Sequence, residues 1–409
     1  MSMKLTDEEK RMLNGDCGEA VRYSMEILVK LGNMYGAERF VEIESAHVAM
    51  SYPHFQGSIE LVESFADKGG KFKLPTTSNT THWTSNFNRW PDLPESAEHI
   101  ERCRRMIAAV KKMGAILTCS CTPYYQGNLP RIGAYCSWTE SSAITFANSV
   151  CGAKANRITD GLDKAAAITG KMPYFGLYLD ENRKGNALVK VEYSPRNLTE
   201  YGLIGYLVGK YFGDKTPVIE GLPPNTTVNQ LKVLGAAAAG SGAVPLFHAV
   251  GLTPEARTRE QAFGRNKTDL EIKIGPKDIA AAAVDLSTAK SEHFDAVFLG
   301  CPHPDIAEVK YLAELLYGKR IKKGIKFWIF ISTDVLLLAR NLGFAQIIEE
   351  SGAEFLERTC AIFFDLKKWG WKNVVTDSPK FANLLPSDPT WLDTILLDTE
   401  SCIKVATVQ

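Results

Sequence analysis

Hydrophobic and polar positions along the chain follow two repeat lengths, and together they predict an α/β protein. Apolar residues recur at helical spacing from Val21 to Leu31 and within 97–112, where charged residues fill the remaining positions. Short, continuous apolar runs at 296–300 and 327–332 have the length expected of strands buried on both faces. Because helices and strands of this length alternate, the pattern favours several mainly parallel sheets covered by helices.

The same patterns predict further elements. Helices are expected after a cap at Thr6, from Thr139, and at 163–169, 228–239, 279–289 and 334–341. Strands are expected at 40–48, 71–75, 115–118, 174–179, 218–220 and 361–364. A polar run from Thr76 to Asn86 follows one of these strands, where an open α/β sheet binds its ligands. A Gly-rich segment at 240–244 is expected to break a helix.

The length of 409 residues exceeds one ordinary hydrophobic core, so the chain is predicted to fold as two or three units. A strand followed by a Gly-Leu-Pro-Pro turn lies near residue 220 and suggests a junction. We therefore predict an N-terminal α/β part, 1–220, and a C-terminal α/β part, 221–409. The first cysteine of interest falls in the N-terminal part, and two others fall in the C-terminal part.

Composition narrows the class of protein. Lys plus Arg and Asp plus Glu both number 47, so no excess charge favours binding to nucleic acid or to an anionic membrane. No apolar run reaches the ~20 residues of a membrane helix, and the N-terminal segment is charged where a signal peptide is apolar. These features predict a cytoplasmic protein, in which the nine cysteines are free thiols or metal ligands rather than disulfides.

The segment 119–157 contains four of the cysteines and is the main candidate for a functional site. It begins as a loop rich in Pro, Gly and Tyr and continues into a helix with Glu140, Ser141 and Ser142 in its first turn. Hydroxyl groups and free backbone N–H groups at a helix start can bind an anion. Residue type alone favours small buried packing cysteines, because no C-x2-C zinc motif is present.

Motifs in and around this segment resemble, in order, the signature of the aconitase X family, the iron–sulfur dehydratase branch of the aconitase superfamily. The matching stretches are SAHV (45–48), PTT-x-N (75–79), SCTPY (120–124), G-x2-P-x2-G (127–133), WTESSA (138–143), FANSVCGA (146–153), NR (156–157), ENR (181–183), LFH-x2-G-x-TPEA (246–256), GCPH (300–303), TCA (359–361) and TDS-x-K-x-A (376–382). The chain departs from the family pattern after PTT-x-N and at Asn383, where the family commonly has a His. These departures leave the substrate open.

The resemblance implies an aconitase-like fold, with several α/β units around a central cleft, and an iron–sulfur cluster held by three thiolates. By motif position the cluster ligands are Cys121, Cys301 and Cys360, with the type of cluster left open. The resemblance also implies a polar site: the candidate catalytic residues are Ser141, Ser142, Glu140 and His47, and the candidate substrate-binding residues are Thr76, Thr77, Asn79, Asn148 and Arg157. Arg157 is expected to clamp a substrate carboxylate, since a guanidinium matches two oxygens.

The resemblance further implies a partner. In the superfamily a swivelling domain carries a Gly/Ser-rich loop whose Ser acts as the base, and no such loop is found in this sequence. We therefore predict the large subunit of a heterodimer, whose active site is completed by a small swivelling-domain subunit.

The expected reaction is removal of water from a small 3-hydroxy carboxylate. We prefer cis-3-hydroxy-L-proline as the substrate, because the sequence shows no basic cluster for a phosphate near the site segment. Phosphomevalonate is the alternative. Two other functions stay open: a non-catalytic iron–sulfur sensor, and an α/β protein whose cysteines are structural.

Overall fold

The computed structural model describes residues 3–50, 56–81, 97–387 and 390–408 of the chain. Within these ranges the strands form three fully parallel sheets, with four, four and five strands, and two short antiparallel pairs. The mixed α/β class predicted from the periodicity is therefore confirmed. The second half of the predicted polar run, 82–86, lies outside the described residues.

The N-terminal part builds the first parallel sheet. Its elements are α1 (Asp7–Asn14), α2 (Glu19–Met34), β1 (Phe40–Glu42), β2 (Ser45–Val48), α3 (Gln56–Asp67), β3 (Thr76–Ser78), α4 (Ala97–Lys112), β4 (Tyr135–Trp138), α5 (Ser141–Phe146), β5 (Lys154–Ala155), α6 (Leu162–Thr169) and β6 (Lys171–Pro173). The sheet has the order β3-β2-β4-β5, and β1 pairs with β6 in the antiparallel direction. A π-helical turn, Ala147–Cys151, continues α5.

The middle of the chain builds the second parallel sheet. Its elements are β7 (Ala187–Val191), α7 (Leu198–Phe212), β8 (Pro217–Glu220), α8 (Val228–Gly242), β9 (His248–Ala249), α9 (Arg259–Phe263), β10 (Glu271–Ile274) and α10 (Pro276–Asp285). The strand order is β10-β7-β8-β9, so this sheet takes strands from both sides of residue 220. The division of the chain into 1–220 and 221–409 stays a prediction.

The C-terminal part builds the five-stranded sheet. Its elements are β11 (Ala296–Leu299), α11 (Ile306–Leu316), β12 (Arg320–Ile321), β13 (Lys326–Ile331), α12 (Thr333–Asn341), α13 (Phe344–Glu350), β14 (Glu354–Glu357), β15 (Asn373–Thr376), α14 (Pro379–Leu384), β16 (Asp393–Leu396), α15 (Thr399–Ala406) and β17 (Thr407–Val408). The order is β14-β13-β11-β15-β16, and β12 pairs with β17. Every residue of β11 is buried, which explains why its sequence is continuously apolar.

The contact between α7 and α8 requires glycine. A Cβ at Gly242 would lie 1.8 Å from the carbonyl oxygen of Gly209, and a Cβ at Gly205 would lie 2.0 Å from that of Leu234. The predicted helix break at 240–244 is confirmed, since α8 ends at Gly242 and Ala243 follows with a left-handed backbone. Within the helix, the glycines allow the two helix backbones to approach each other.

Several predicted strands are wrong, because an apolar run marks burial and does not by itself distinguish a strand from a buried turn. Segments 174–179 and 361–364 each form a 3₁₀ turn instead, at Gly176–Tyr178 and Ala361–Phe363. Segment 71–75 only leads into β3, and 115–118 contributes a single bridge to that strand. The predicted strand 40–48 divides into β1 and β2, which pair with different partners.

Candidate active site

A cavity of about 440 Å³ lies where the carboxyl ends of several parallel strands converge. In the first sheet, β2, β3 and β4 lead into the lining residues 49–50, 79–80 and 139–141, and β11 of the third sheet leads into 300–301. Open α/β sheets bind ligands at this edge, because its loops bring together side chains from distant parts of the chain. The cavity is therefore the candidate active site.

Three cysteines line this cavity, and each comes from a different loop. Cys121 precedes a 3₁₀ turn, Cys301 follows β11, and Cys360 follows β14. Burial raises the pKa of the Cys121 and Cys360 thiols to about 12, and it raises the pKa of Cys301 still more. The thiols also affect one another: Cys301 raises the pKa of Cys121, Cys360 raises that of Cys301, and Cys121 raises that of Cys360. The three are therefore close enough in space to interact electrostatically.

Cysteine thiolates are the donor groups by which proteins hold iron–sulfur clusters, so the residue types present fit such a group. Within the described ranges, no group of three or more His, Cys, Asp or Glu side chains is arranged to hold one ion. A cluster contains more than one iron, so its thiolate ligands would not need to converge on a single ion. Buried thiols with raised pKa values stay protonated, and a positively charged centre between them would favour their thiolate forms.

A buried ion pair between Glu140 and Lys380 forms another wall of the cavity. Glu140 is the N-cap of α5, and its Oε2 accepts hydrogen bonds from Ala143 N at 2.5 Å and Ser142 Oγ at 2.6 Å. Lys380 Nζ donates to Glu140 Oε1 at 3.0 Å and to Ser142 Oγ at 3.2 Å. Burial alone would raise the pKa of Glu140, but the Lys380 ammonium and these hydrogen bonds lower it.

Sequence reasoning missed Lys380 as a site residue. It lies in the TDS-x-K-x-A motif, at the start of α14, and is only 8% exposed. The sequence did contain a signal for this site residue, because the lysine lies inside a motif that matches the family. The predicted site residues Ser141 and Asn79 do line the cavity, whereas Ser142 does not and instead supports the ion pair.

Three other predicted residues lie in the first sheet and do not line the cavity. His47 Nδ1 and Thr77 Oγ1 are 2.8 Å apart, and Asn128 Nδ2 donates to the same hydroxyl at 2.8 Å. Thr76 Oγ1 donates to the carbonyl of Leu74 at 2.9 Å. Burial lowers the pKa of His47 to about 4, so its ring is neutral at pH 7. These side chains join β2 to β3 and to the loop containing Asn128.

Asn148 belongs to a buried network rather than to the cavity. Its Nδ2 donates to the carbonyls of Ala155 and Pro245, both at 2.9 Å, and its Oδ1 accepts from Arg183 Nη1 at 3.1 Å. Arg183 Nε also donates to Glu255 Oε1 at 2.9 Å. Residues from the FANSVCGA, ENR and TPEA motifs therefore meet in one structural network.

The structure does not bring Arg157 to the cavity either. It is an exposed residue, and its Nη1 donates to the carbonyl of Ala243 at 2.7 Å, at the end of α8. Arg157 is not among the residues that line the cysteine-lined cavity, and its role as a carboxylate clamp stays a prediction. Of the lysine and arginine side chains that the structure describes, the one that lines the cavity is Lys380.

Comparison with known proteins gives the same picture. Models of the first, second and third domains of aconitase X match residues 2–181, 185–283 and 294–408. The chain is 39% identical to the phosphomevalonate dehydratase large subunit of Methanocaldococcus jannaschii, over 94% of this chain and 96% of that protein. It is 31% identical to the cis-3-hydroxy-L-proline dehydratase of Pseudomonas aeruginosa, over 92% of this chain and 66% of that protein. The crystal structure of Thermococcus kodakaraensis aconitase X in its holo-form matches with a TM-score of 0.89 and 36% identity, covering 99% of this chain and 100% of that one.

Parallel sheets that converge on a thiol-lined cavity define an α/β enzyme of the aconitase type. The chain belongs to the aconitase X family, and it is a dehydratase, that is, a hydro-lyase. Several of its relatives are named large subunits, which implies a small-subunit partner for them. In the part of the chain that the structure describes, no helix has both the length and the apolar character needed to cross a membrane.

Proposed function

We propose that the chain is the large subunit of an iron–sulfur dehydratase that removes water from 5-phosphomevalonate. The observation that carries this proposal is that the three motif cysteines and a buried Lys–Glu pair line one cavity. The thiols would hold the cluster, and the polar side chains beside them would hold the substrate. The cavity contains both kinds of group within a volume of about 440 Å³, which is suited to a small molecule.

Cys121, Cys301 and Cys360 would hold the cluster through their sulfur atoms. Among the described residues that line the cavity there is no fourth cysteine, so the cluster would keep an iron coordination position that no protein sulfur fills. When bound, such a cluster supplies an open coordination position that acts as a Lewis acid toward a substrate hydroxyl.

Lys380 would bind an anionic group of the substrate. Its ammonium carries three N–H donors, of which Glu140 and Ser142 accept two. The third N–H has no acceptor among the described residues and is available to a carboxylate or phosphate oxygen. Ser141 Oγ and the Asn79 side chain, which also line the cavity, would add neutral hydrogen bonds that orient the same substrate.

The choice of substrate rests on the relatives and on Lys380. Of five relatives named phosphomevalonate dehydratase large subunit, four are 36–39% identical to the chain and one is 29% identical, whereas the two named cis-3-hydroxy-L-proline dehydratase are 30–31% identical. The preference for hydroxyproline depended on the absence of a basic cluster near the site segment. Lys380 adds one cation to the cavity, and a phosphate can be bound by one or two cations, so we reverse the order of the two candidates.

We also propose that a small subunit with a swivelling domain completes the active site and supplies the base. The five relatives named large subunit are matched over 89–97% of their own length, while the chain spans 66% of the two hydroxyproline dehydratases. The unmatched part of those longer proteins is the expected counterpart of the small subunit.

The test is to purify the chain without oxygen together with a candidate small subunit, and to measure iron, sulfide and turnover of both substrates. We expect cluster-containing complex that dehydrates 5-phosphomevalonate and leaves cis-3-hydroxy-L-proline unchanged. Turnover of hydroxyproline alone would overturn the choice of substrate. Iron without turnover of either would favour a sensor, and iron-free complex would favour structural cysteines.

A matched pair of variants tests the cluster ligands. Cys121→Ser should abolish both iron binding and turnover, because it removes one of the three sulfurs. Cys136→Ser is the control: Cys136 is a buried free cysteine that does not line the cavity, so this variant should keep its iron. Equal loss of iron in the two variants would contradict the assignment.

A further inference from the structure

His303, two residues after Cys301, contacts the loops of all three cluster cysteines. Its backbone N–H donates to Cys121 Sγ at 3.3 Å. Its ring Nδ1 lies 3.1 Å from Ser120 Oγ, and its ring Nε2 lies 3.0 Å from the carbonyl oxygen of Thr359. Ser120 and Thr359 are the residues immediately before Cys121 and Cys360. One side chain, only 1% exposed, therefore joins three segments that are distant in sequence.

The partners of the imidazole determine which ring nitrogen carries the hydrogen. A carbonyl oxygen can only accept, so Nε2 must donate to Thr359. In the neutral ring Nδ1 is then an acceptor, and the Ser120 hydroxyl donates to it. The Ser120 oxygen in turn accepts from Thr122 N at 3.2 Å and lies 3.0 Å from Thr122 Oγ1. The result is a directed chain of hydrogen bonds from the Cys121 loop, through the imidazole, to the Cys360 loop.

A second contact connects two of the same loops without involving His303. Arg358 Nη2 donates to Cys119 Sγ at 3.3 Å, and each residue lies two positions before a cluster cysteine. Both have left-handed backbone conformations, with φ of 71° at Arg358 and 46° at Cys119. Such conformations are unfavourable for residues other than glycine and persist where the surrounding structure holds them. The two loops are thus held together on more than one side.

We infer that His303 is a positioning residue that aligns the three thiols for cluster binding. The inference deepens the proposed function, since the cluster is the ligand that the thiols would receive. Thiolates on three separate loops would have to reach one cluster at the same time, and any freedom between the loops lowers the fraction of molecules in which they are aligned. Hydrogen bonds that orient ligands in this way typically change metal affinity 10–100-fold when removed.

The experiment compares variants that remove one or both ring contacts while keeping the backbone N–H. His303→Asn retains an acceptor for Ser120, His303→Gln retains a donor for Thr359, and His303→Ala retains neither. The control is His248→Ala. His248 is equally buried, with Nε2 2.7 Å from the carbonyl of Arg183, but it does not line the cavity.

Two measurements are made on each variant. The first is the iron affinity of the reconstituted protein, measured by equilibrium competition with a chelator in the absence of oxygen, together with the visible spectrum of the cluster. The second uses iron-free protein and a trivalent arsenical, which binds thiols only when they are close to one another, with uptake measured by mass spectrometry. The thermal unfolding of each iron-free variant is recorded so that losses due to misfolding are recognised.

We expect iron affinity to fall 10–100-fold in His303→Ala and less in His303→Gln and His303→Asn, with arsenical uptake falling in the same order. His248→Ala should unfold at a lower temperature yet keep wild-type iron affinity. Wild-type iron and arsenical binding in His303→Ala would overturn the inference, as would equal losses in the His248 control. A wild-type protein that binds the arsenical but no iron would overturn the proposed function alone.

Discussion

Replacement of Lys380 by Met tests how much the buried ion pair in the cavity contributes to the free energy of unfolding. Lys380 and Glu140 are 8% and 9% exposed, and their charged atoms are 3.0 Å apart. Removing one partner of a buried pair typically costs 3–5 kcal/mol, because the other charge is left buried. Glu140 keeps its hydrogen bonds from Ala143 N and Ser142 Oγ, so we expect a loss at the lower end, about 3 kcal/mol.

The double variant Lys380→Met with Glu140→Gln separates the loss of the pair from the loss of packing. The amide introduced at position 140 is neutral and needs no counter-charge. The double variant should therefore be about 2 kcal/mol more stable toward unfolding than Lys380→Met alone. Lys10→Met is the control, since Lys10 and Asp7 have the same 3.0 Å separation but lie on the surface. Exposed pairs contribute about 1 kcal/mol or less, so Lys10→Met should be nearly neutral.

The assay is urea unfolding of the iron-free protein, followed by tryptophan fluorescence, with midpoints compared among the four proteins. Iron is removed first because a bound cluster would itself stabilise the folded state. A double variant no more stable than Lys380→Met would refute the reasoning, and so would a Lys380→Met variant that unfolds at the same midpoint as Lys10→Met.

Three further predictions concern stability. Arg183→Met should lower the free energy of unfolding by about 3 kcal/mol or more in urea titrations, because it leaves buried hydrogen-bond acceptors and a carboxylate without their partner; wild-type stability would contradict the network described above. Gly242→Ala should destabilise by about 1–3 kcal/mol, since its Cβ would lie 1.8 Å from a carbonyl oxygen of α7. The control Gly57→Ala has open space in α3 and should be neutral or up to about 1 kcal/mol more stable by calorimetry. Burial raises the pKa of Asp377 to about 6, so folding binds a proton between the unfolded and folded pKa values and stability falls as pH rises through that window. Asp377→Asn should therefore be more stable than wild type by up to about 3 kcal/mol at pH 7.5 but by little at pH 4, and a pH-independent difference in melting temperature would contradict this.

The positions of many elements could be predicted from the sequence because periodicity is a local property. The helix predicted at 97–112 is observed as α4, and the apolar runs at 296–300 and 327–332 are observed as β11 and β13. The three cysteines were found by motif rather than by pattern, and their convergence on one cavity could not be derived from spacing. A run that is apolar because it packs as a turn, such as 361–364, has no local feature that separates it from a strand.

The sequence by itself determined the α/β class, the elements with strong periodicity, and the family. Only the tertiary structure decided which polar residues face the cavity. Asn148 and Arg157 were expected there, but one is held by Arg183 and the other by the end of α8, while Lys380 reaches the cavity from α14. The physical reason is that a polar side chain is positioned by whichever donors and acceptors the fold brings to it. Those partners come from parts of the chain whose distance in sequence carries no information about their distance in space.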